Sequence, residues 1–287
     1  MHPERRRRTA QLAQLAADHR WETLFQRLML EEFPSAARMG WQLAFLRPFA
    51  VPRMARTLVR AGQLVDNPRK RAYDTGLIIY EIVHGGLDSP RARAMVSLIN
   101  RAHHGRAIGG DDMIYVLCAF IVTPIRHIEW VGWRALTAEE KHSAVEFFGR
   151  LGRMMNIEVV PATYPEAEQL YDDFESRNTA PSPEGRVLGI NLVRVLKDMQ
   201  PAAARPLATP IFTLLLRDRR VVEAIGLQPP SALLQWAIVR AARLRAAWQR
   251  TTPPSTKPIF TPGKPVRAIY PHGYELKELG PQEADAS

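Results

Sequence analysis

Two adjacent histidines, His103 and His104, stand near the middle of the sequence, in the stretch NRAHHGRAIGGDD. Histidine is a frequent metal ligand and a group that exchanges a proton near neutral pH. Neighbouring residues on an α-helix point about 100° apart, so both imidazoles cannot face one centre unless the helix ends between them. The pattern therefore favours at most one metal ligand in this pair.

Two more histidines, His84 and His127, fall in the same central third of the chain. Each histidine taken alone is best explained as a partly buried, hydrogen-bonded residue. Four in one region raise the expectation that one of them binds a metal or a cofactor. The charged residues around them are Asp74, Glu81, Asp111, Asp112, Arg126 and Glu129.

A di-iron carboxylate site is one alternative, because the motif Glu-x-x-His occurs twice, at Glu81 with His84 and at Glu139 with His142. This spacing puts both groups on one helix face, and ferritin-like bundles build a di-iron site from two such pairs and two further glutamates. The first pair lies where a helix is ending, and the second lies in a first turn where it faces outward. No glutamate pair completes the set.

Other reaction classes lack their motifs. The sequence has no Gly-x-Ser-x-Gly nucleophile elbow and no glycine-rich phosphate-binding loop. Its one cysteine, Cys118, lies in the apolar run MIYVLCAFIV without an adjacent base, where a thiol behaves as a small hydrophobic group. A single cysteine permits no intramolecular disulfide and fits a reducing compartment, so we expect a cytoplasmic protein.

The net charge of +10, from 39 Lys and Arg against 29 Asp and Glu, indicates a basic surface. The arginines are scattered through helical segments without interleaved aromatic residues, which favours a solvated face over nucleic-acid binding. Peripheral contact with an anionic membrane is the alternative. The run at 113–122 covers about half of a bilayer's apolar thickness, so no transmembrane helix is expected. The basic N-terminus lacks the apolar stretch of an export signal.

Helical spacing of apolar residues recurs along the chain, and the alternation typical of strands is nearly absent. The predicted fold is therefore all-α, in a single domain over residues 1–250. Gly105 is expected to end the helix that follows Ser89. Four helices carry N-terminal capping signatures, at Ser89 with Pro90, Thr137 with Glu140, Thr163 with Glu166 and Ser182 with Pro183. Further helices are predicted at about 9–32, 41–62, 69–84, 111–132, 203–217 and 230–250.

The C-terminal segment, residues 251–287, is too rich in proline for a helix. We expect it to pack on the surface as an extended, proline-rich tail with a disordered end.

Several stretches taken in order resemble the catalytic domain shared by the MpaB oxygenases and the rubber-cleaving latex clearing proteins. The resemblance is closest to short bacterial MpaB-like members and runs over residues 69 to about 178, with weaker similarity to YPHGYELKELGP near the end. The stretches are RAYDTGLIIYEIVHGG, LINRAHHGRAIGGDDMIYVLCAF, TPIRHIEWVGWRALTAEEKHSAVEFFGRLGRMMNI and PATYPEAEQLYDDFE.

The resemblance implies a globin-like helical bundle that encloses a b-type haem. In the family, a histidine in the helix after an Arg-x-x-x-Thr helix binds the iron, and this histidine corresponds to His103. His104 would then point elsewhere. We expect neutral His103 to bind iron through one nitrogen while the other is held by a hydrogen bond.

The family's Arg-x-x-Lys-Thr motif, on the other face of the haem, corresponds to Arg71, Asp74 and Thr75 here. Rubber cleavers can place the lysine amine on the iron, and this chain has Asp74 at that position. We therefore expect a distal site open to dioxygen or water. Arg71 is expected to donate to iron-bound oxygen or to a haem propionate, Thr75 to shape the pocket or relay protons, and Arg126 to be a second propionate partner.

The resemblance thus implies a haem b-dependent oxygenase that uses dioxygen on an apolar, unsaturated small molecule, by cleavage or by another oxidation. Alternatives are a di-iron oxidase and a non-enzymatic helical protein that binds haem or another ligand. The sequence indicates neither the oligomeric state nor the substrate. The expected pocket lining is Ile78, Ile79, Ile82, Met95, Leu98 and Phe120.

Overall fold

A computed structural model describes residues 1–104, 108–198, 200–266 and 268–280. Within these residues the fold is all-α, as predicted, and the only β-type pairing consists of isolated bridges in the tail. The helices are α1 Pro3–Ala17, α2 Trp21–Arg27, α3 Pro34–Leu46, α4 Pro52–Arg60, α5 Gln63–Asp66, α6 Pro68–Gly85, α7 Pro90–His103, α8 Gly110–Val131, α9 Ala138–Met154, α10 Tyr164–Asn178, α11 Pro183–Asp198, α12 Arg205–Leu216, α13 Arg219–Ala224 and α14 Ala232–Thr251.

The four predicted N-terminal caps are confirmed. Each hydroxyl accepts a hydrogen bond from a backbone N–H in the first turn, at 3.1 Å for Ser89, 3.2 Å for Thr137, 3.3 Å for Thr163 and 3.0 Å for Ser182. Glu140 completes a capping box by accepting from the backbone N–H of Thr137 at 2.9 Å. These bonds satisfy amide groups that a helix start leaves without partners.

Two long helices predicted from periodicity are interrupted. The segment 9–32 breaks after Ala17, where His19 has a positive φ of 52°, and resumes at Trp21. The segment 41–62 divides between α3 and α4, because Pro48 and Pro52 lack the N–H that a continuing helix requires. The expected stop at Gly105 and the disorder expected of the last few residues of the tail lie outside the described residues.

The close crossing of α3 and α8 organises the centre of the fold. At Gly40 a Cβ atom would stand 2.3 Å from the Cα of Pro124, so only glycine allows this approach. The crossing fixes Trp41 and Phe45, which follow Gly40 on α3, relative to Phe120 on α8. Helix α8 has the length and apolar character of a membrane span, but 61% of its most apolar window is buried inside the protein.

Helix α14 packs loosely on the body and contributes no fully buried residue. Its outer face exposes Leu233, Trp236, Leu244 and Trp248 by 61–76% of their surface. The N-terminus of the chain lies beside its end, since the backbone N–H of His2 donates to the carbonyl of Arg250 at 2.8 Å. An apolar surface is thereby brought close to the arginine-rich start of α1.

Buried His127 gives the fold a predictable acid sensitivity. Burial lowers the pKa of His127 to about 4, with help from the positive charges of Arg217 and Arg245. Between about pH 6.5 and pH 4 the imidazole is therefore protonated in the unfolded chain but not in the folded chain, so stability falls as the pH drops through this range. We expect this group to cost about 2 kcal/mol of unfolding free energy between pH 7 and pH 5.

Urea unfolding at both pH values, in parallel with His127→Leu, measures this effect. The variant should lose less stability on acidification than the parent does. Exposed His272→Ala is the matched control and should keep the parent's dependence. An equally steep loss in His127→Leu would assign the acid sensitivity to other groups.

Candidate functional site

A cavity of about 220 Å³ lies in the body of the protein between α4, α6, α7, α8 and α9. Its lining is mostly aliphatic and aromatic, with few polar side chains. Such a composition suits an apolar ligand. The polar groups that line it are Thr57, Arg71, Thr75, His103 and Asp112.

His103 is the last residue of α7 and reaches this cavity half-buried. Its Nδ1 lies 2.8 Å from the carbonyl oxygen of Ile99, one turn earlier. A carbonyl only accepts, so Nδ1 carries the hydrogen and Nε2 has the lone pair that a metal requires. His104 is exposed, and its backbone N–H caps the end of the helix. The helix ends between the two imidazoles, so they do not share one centre.

Arg71 and Thr75 lie one turn apart on α6 and line the same cavity as His103. The Arg71 guanidinium donates to the hydroxyl of Thr75, which in turn donates to the Arg71 backbone carbonyl at 2.9 Å. The guanidinium also stacks 5.8 Å from the centre of the Phe45 ring. A positive donor and a hydroxyl are therefore held together at the wall of an apolar space.

Asp112 is the buried acid of this cavity, and Arg53 of α4 neutralises it. Two guanidinium nitrogens of Arg53 lie 2.6 and 3.0 Å from Asp112 Oδ1. The cavity lining therefore holds one neutralised carboxylate, one imidazole and one guanidinium. The donor types match those of a haem site, where an imidazole would bind the iron and a guanidinium would bind an anionic or dioxygen-type ligand.

Asp74 does not line the cavity, although it lies between Arg71 and Thr75 in sequence. It is 1% exposed, and its carboxylate binds the C-terminal tail. Asp74 Oδ1 accepts from the Tyr270 hydroxyl at 2.7 Å, and Oδ2 accepts from Lys70 Nζ at 2.6 Å and from the Gly280 backbone N–H at 3.0 Å. Asp74 faces away because it lies about 100° around the helix from Thr75.

Glu81, two turns further along α6, holds the tail in the same way. It accepts from Tyr274 at 2.6 Å and makes a two-bond ion pair with Arg91 at 2.7 Å. Burial by itself would raise the pKa of Glu81, but the bonds from Arg91 and Tyr274 lower it below its ordinary value. We call Asp74 and Glu81, with the tail groups they bind, the tail clamp.

The two Glu-x-x-His pairs do not converge. Glu81 belongs to the tail clamp while His84 is exposed, and Glu139 is exposed beside His142. Within the described residues, no three His, Cys, Asp or Glu side chains form a metal-binding group. The geometry therefore does not favour the di-iron alternative.

Arg126 lies away from the cavity, on the opposite end of α8. It pairs with Asp172 at 2.7 Å and with Glu168 at 3.0 Å, both on α10. These bonds raise the pKa of Arg126. Of the expected pocket residues, Ile78, Ile79 and Phe120 line the cavity, whereas Ile82, Met95 and Leu98 pack elsewhere in the core.

A second cavity, of about 430 Å³, adjoins the first. Phe45, Thr75, Ile79 and Phe120 line both, so they form a common wall. Tail residues from Pro258 to Val266 contribute to its lining. The tail's part in a site is not among the features predicted from the sequence. The available signal was a pair of matching spacings. Tyr270 and Tyr274 are four residues apart in the tail, and their partners Asp74 and Glu81 are seven residues apart on α6.

Known proteins similar to this chain are oxygenases. Residues 27–250 match the family model described as "ER-bound oxygenase mpaB/B'/Rubber oxygenase, catalytic domain". Two similar proteins of Penicillium brevicompactum are the ER-bound oxygenase mpaB', 28% identical over 72% of this chain, and the ER-bound oxygenase mpaB, 27% identical over 69%. An ER-bound oxygenase mpaB of Penicillium roqueforti is 24% identical over 66% of this chain.

The matched regions are only part of those relatives. They cover 53% and 56% of the two Penicillium brevicompactum proteins, and 69% of the Penicillium roqueforti protein. The chain thus spans about half the length of the first two.

Proposed function

This chain belongs to the family of ER-bound oxygenase mpaB/B' and rubber oxygenase catalytic domains, and we propose that it is a b-type haem-dependent oxygenase. Its substrates are dioxygen and an apolar, unsaturated small molecule. The observation that supports this most directly is that one histidine and an arginine–threonine pair line a single apolar cavity. In this proposal the helical bundle encloses the haem there, in the globin-like manner expected from the sequence.

His103 is the residue that holds the iron. The bond from Nδ1 to the Ile99 carbonyl orients the ring and increases the electron-donating power of Nε2. Haem bound here supplies the iron that binds and activates dioxygen. Asp74 and Arg126 have no part in this proposal, because their charges are neutralised by the tail clamp and by α10.

Arg71 and Thr75 act on the oxygen side of the reaction. The guanidinium donates hydrogen bonds to a partly negative oxygen atom, and the Thr75 hydroxyl is placed to pass a proton to it. The apolar wall keeps water out, which strengthens these interactions because the local dielectric constant is low.

The purified protein tests this assignment directly. It should show a strong Soret band and consume dioxygen with an unsaturated fatty acid as the trial substrate. Arg71→Ala should keep the band and lower dioxygen consumption per haem by about a hundredfold, the usual effect of removing one preorganised donor. Arg69→Ala, exposed on the same helix, is the matched control and should match the parent. A colourless preparation that binds two irons would favour the di-iron alternative instead.

We also propose that the outer face of α14 makes peripheral contact with an anionic membrane, from the cytoplasmic side. Trp236 and Trp248 are the exposed aromatic side chains of a helix that also carries Arg240 and Arg243, the composition of an interfacial helix. The arginine-rich start of α1 lies at the end of this helix and adds positive charge. The relatives' description as ER-bound agrees with an oxygenase that works at a membrane.

Cosedimentation with phosphatidylcholine vesicles, with and without phosphatidylglycerol, tests this contact. We expect binding to the anionic vesicles that weakens with salt, and a loss of about tenfold in the double variant Trp236→Ala, Trp248→Ala. Exposed Val159→Ala is the control. Concentration-dependent dimerisation of the parent without vesicle binding would assign the face to a second copy of the chain.

A further inference from the structure

Two side chains that line the second cavity carry hydrogen-bond donors without a partner in the described residues. The indole Nε1 of Trp41 and the hydroxyl of Tyr80 are fully buried, and neither makes a hydrogen bond within the described residues. Both side chains line this cavity, with their rings edge to face at 5.7 Å. Buried donors are nearly always satisfied, so a pair left open in one cavity indicates a ligand that supplies acceptor atoms.

The same cavity carries uncompensated positive charge. Arg38 and Lys264 line it, both are exposed, and neither has an acidic partner in the described residues. Burial raises the pKa of Tyr80 to about 12, although the charge of Arg38 opposes this. The Tyr80 hydroxyl therefore stays protonated and remains a donor throughout the physiological range. Two donors and two cations favour an anionic oxygen acceptor over a neutral one.

The rest of the lining is apolar and extends towards the first cavity. Phe260, Leu192 and Val195 make up part of it, and the wall of Phe45, Thr75, Ile79 and Phe120 separates the two spaces. A ligand held by an acid group at one end would thus direct an apolar body towards Thr75. The volume of about 430 Å³ is in the usual range of about 300–1,000 Å³ for small-molecule sites.

We propose that the second cavity binds the substrate, and that this substrate is an apolar, unsaturated molecule ending in a carboxylate. Trp41 Nε1 and Tyr80 Oη donate hydrogen bonds to the carboxylate, and Arg38 and Lys264 attract it to the entrance. The apolar body lies along the tail and reaches the wall shared with the first cavity. This inference rests on the proposed oxygenase function for its meaning, but the binding itself needs no haem.

Calorimetric titration with palmitoleate, its methyl ester and the corresponding alcohol tests the proposal. The acid should bind at least tenfold more tightly than the ester or the alcohol. Tyr80→Phe and Trp41→Phe should each lower the affinity for the acid by about tenfold and leave the affinity for the ester nearly unchanged. Arg38→Ala and Lys264→Ala should lower the affinity for the acid and make that affinity less dependent on salt concentration. The controls are Arg60→Ala, at an exposed position, and Tyr164→Phe, at a buried position; both residues lie outside the cavity.

Titrating the His103→Ala protein separates this proposal from the oxygenase assignment. Acid binding that persists there, whatever happens to the haem, shows that the acid site does not depend on His103 and supports the second cavity. Equal affinities for acid, ester and alcohol would overturn the carboxylate site. So would unchanged acid affinity in both Tyr80→Phe and Trp41→Phe, or loss of acid binding with His103.

Discussion

His103→Ala should abolish haem retention, whereas His104→Ala should leave it nearly intact. His103 faces the cavity with Nδ1 held by Ile99, and its removal takes away the one imidazole among the described residues that line this space. His104 is exposed, and its contribution to the helix end comes from its backbone. The measurement is the ratio of Soret to protein absorbance after purification, which we expect to fall at least tenfold in the first variant only.

A second variant guards against a loss of haem through misfolding. His103→Gly should also lose the haem, and added imidazole should restore a Soret band, because the free ligand enters the space that the side chain left. Far-ultraviolet circular dichroism should show native helix content in all three variants. Equal haem content in His103→Ala and His104→Ala would refute the ligand assignment.

Asp74→Ala should lower the stability of the fold strongly. The carboxylate is buried and accepts from Lys70, Tyr270 and the Gly280 backbone, so its removal takes an acceptor from all three donors. Lys70 and Tyr270 keep the Glu278 carbonyl as an acceptor, whereas the buried N–H of Gly280 loses its partner. Breaking a buried, hydrogen-bonded ion pair costs about 3–5 kcal/mol, and Lys70 is partly exposed, so we expect about 3 kcal/mol. Urea unfolding gives the value, with exposed Asp173→Ala as the control.

The same variant tells a structural Asp74 from one beside the iron. We expect the position of the Soret band to be the same in Asp74→Ala and the parent, and Tyr270→Phe to account for part of the lost stability. Native-like stability combined with a shifted visible spectrum would indicate that Asp74 lies beside the haem. In that case the tail clamp would have to depend on Glu81 alone.

Local rules predicted those parts of the fold that depend on neighbours in sequence. Ser89, Thr137, Thr163 and Ser182 cap their helices as expected, because a cap needs only the next turn of backbone. The interruption near His19 is different, since the periodicity of apolar residues continues through it. Periodicity alone does not show where a helix stops when no proline or glycine marks the break.

The candidate site was predictable in part for the same reason. Arg71 and Thr75 share a helix face by spacing, and the structure places them on the same cavity as His103. The position of Asp74 was not predictable from the motif, because its partner Tyr270 comes 196 residues later. Only the folded tail decides which side of α6 a carboxylate at that position faces. The unpartnered donors Trp41 and Tyr80 likewise become visible only once the cavity exists.

Because of the tail clamp, the shape of the second cavity and the position of His103 depend on different parts of the chain. Asp74 and Glu81 fix where the tail lies, and the residues just before the clamped tyrosines supply part of the second cavity. None of the tail residues that the structure describes lines the first cavity. Exchanging the segment from Pro258 to Val266 for that of another family member should therefore alter the shape of the second cavity and leave the position of His103 unchanged. Ligand selectivity can therefore change through substitutions in this short segment, without changes to the helices.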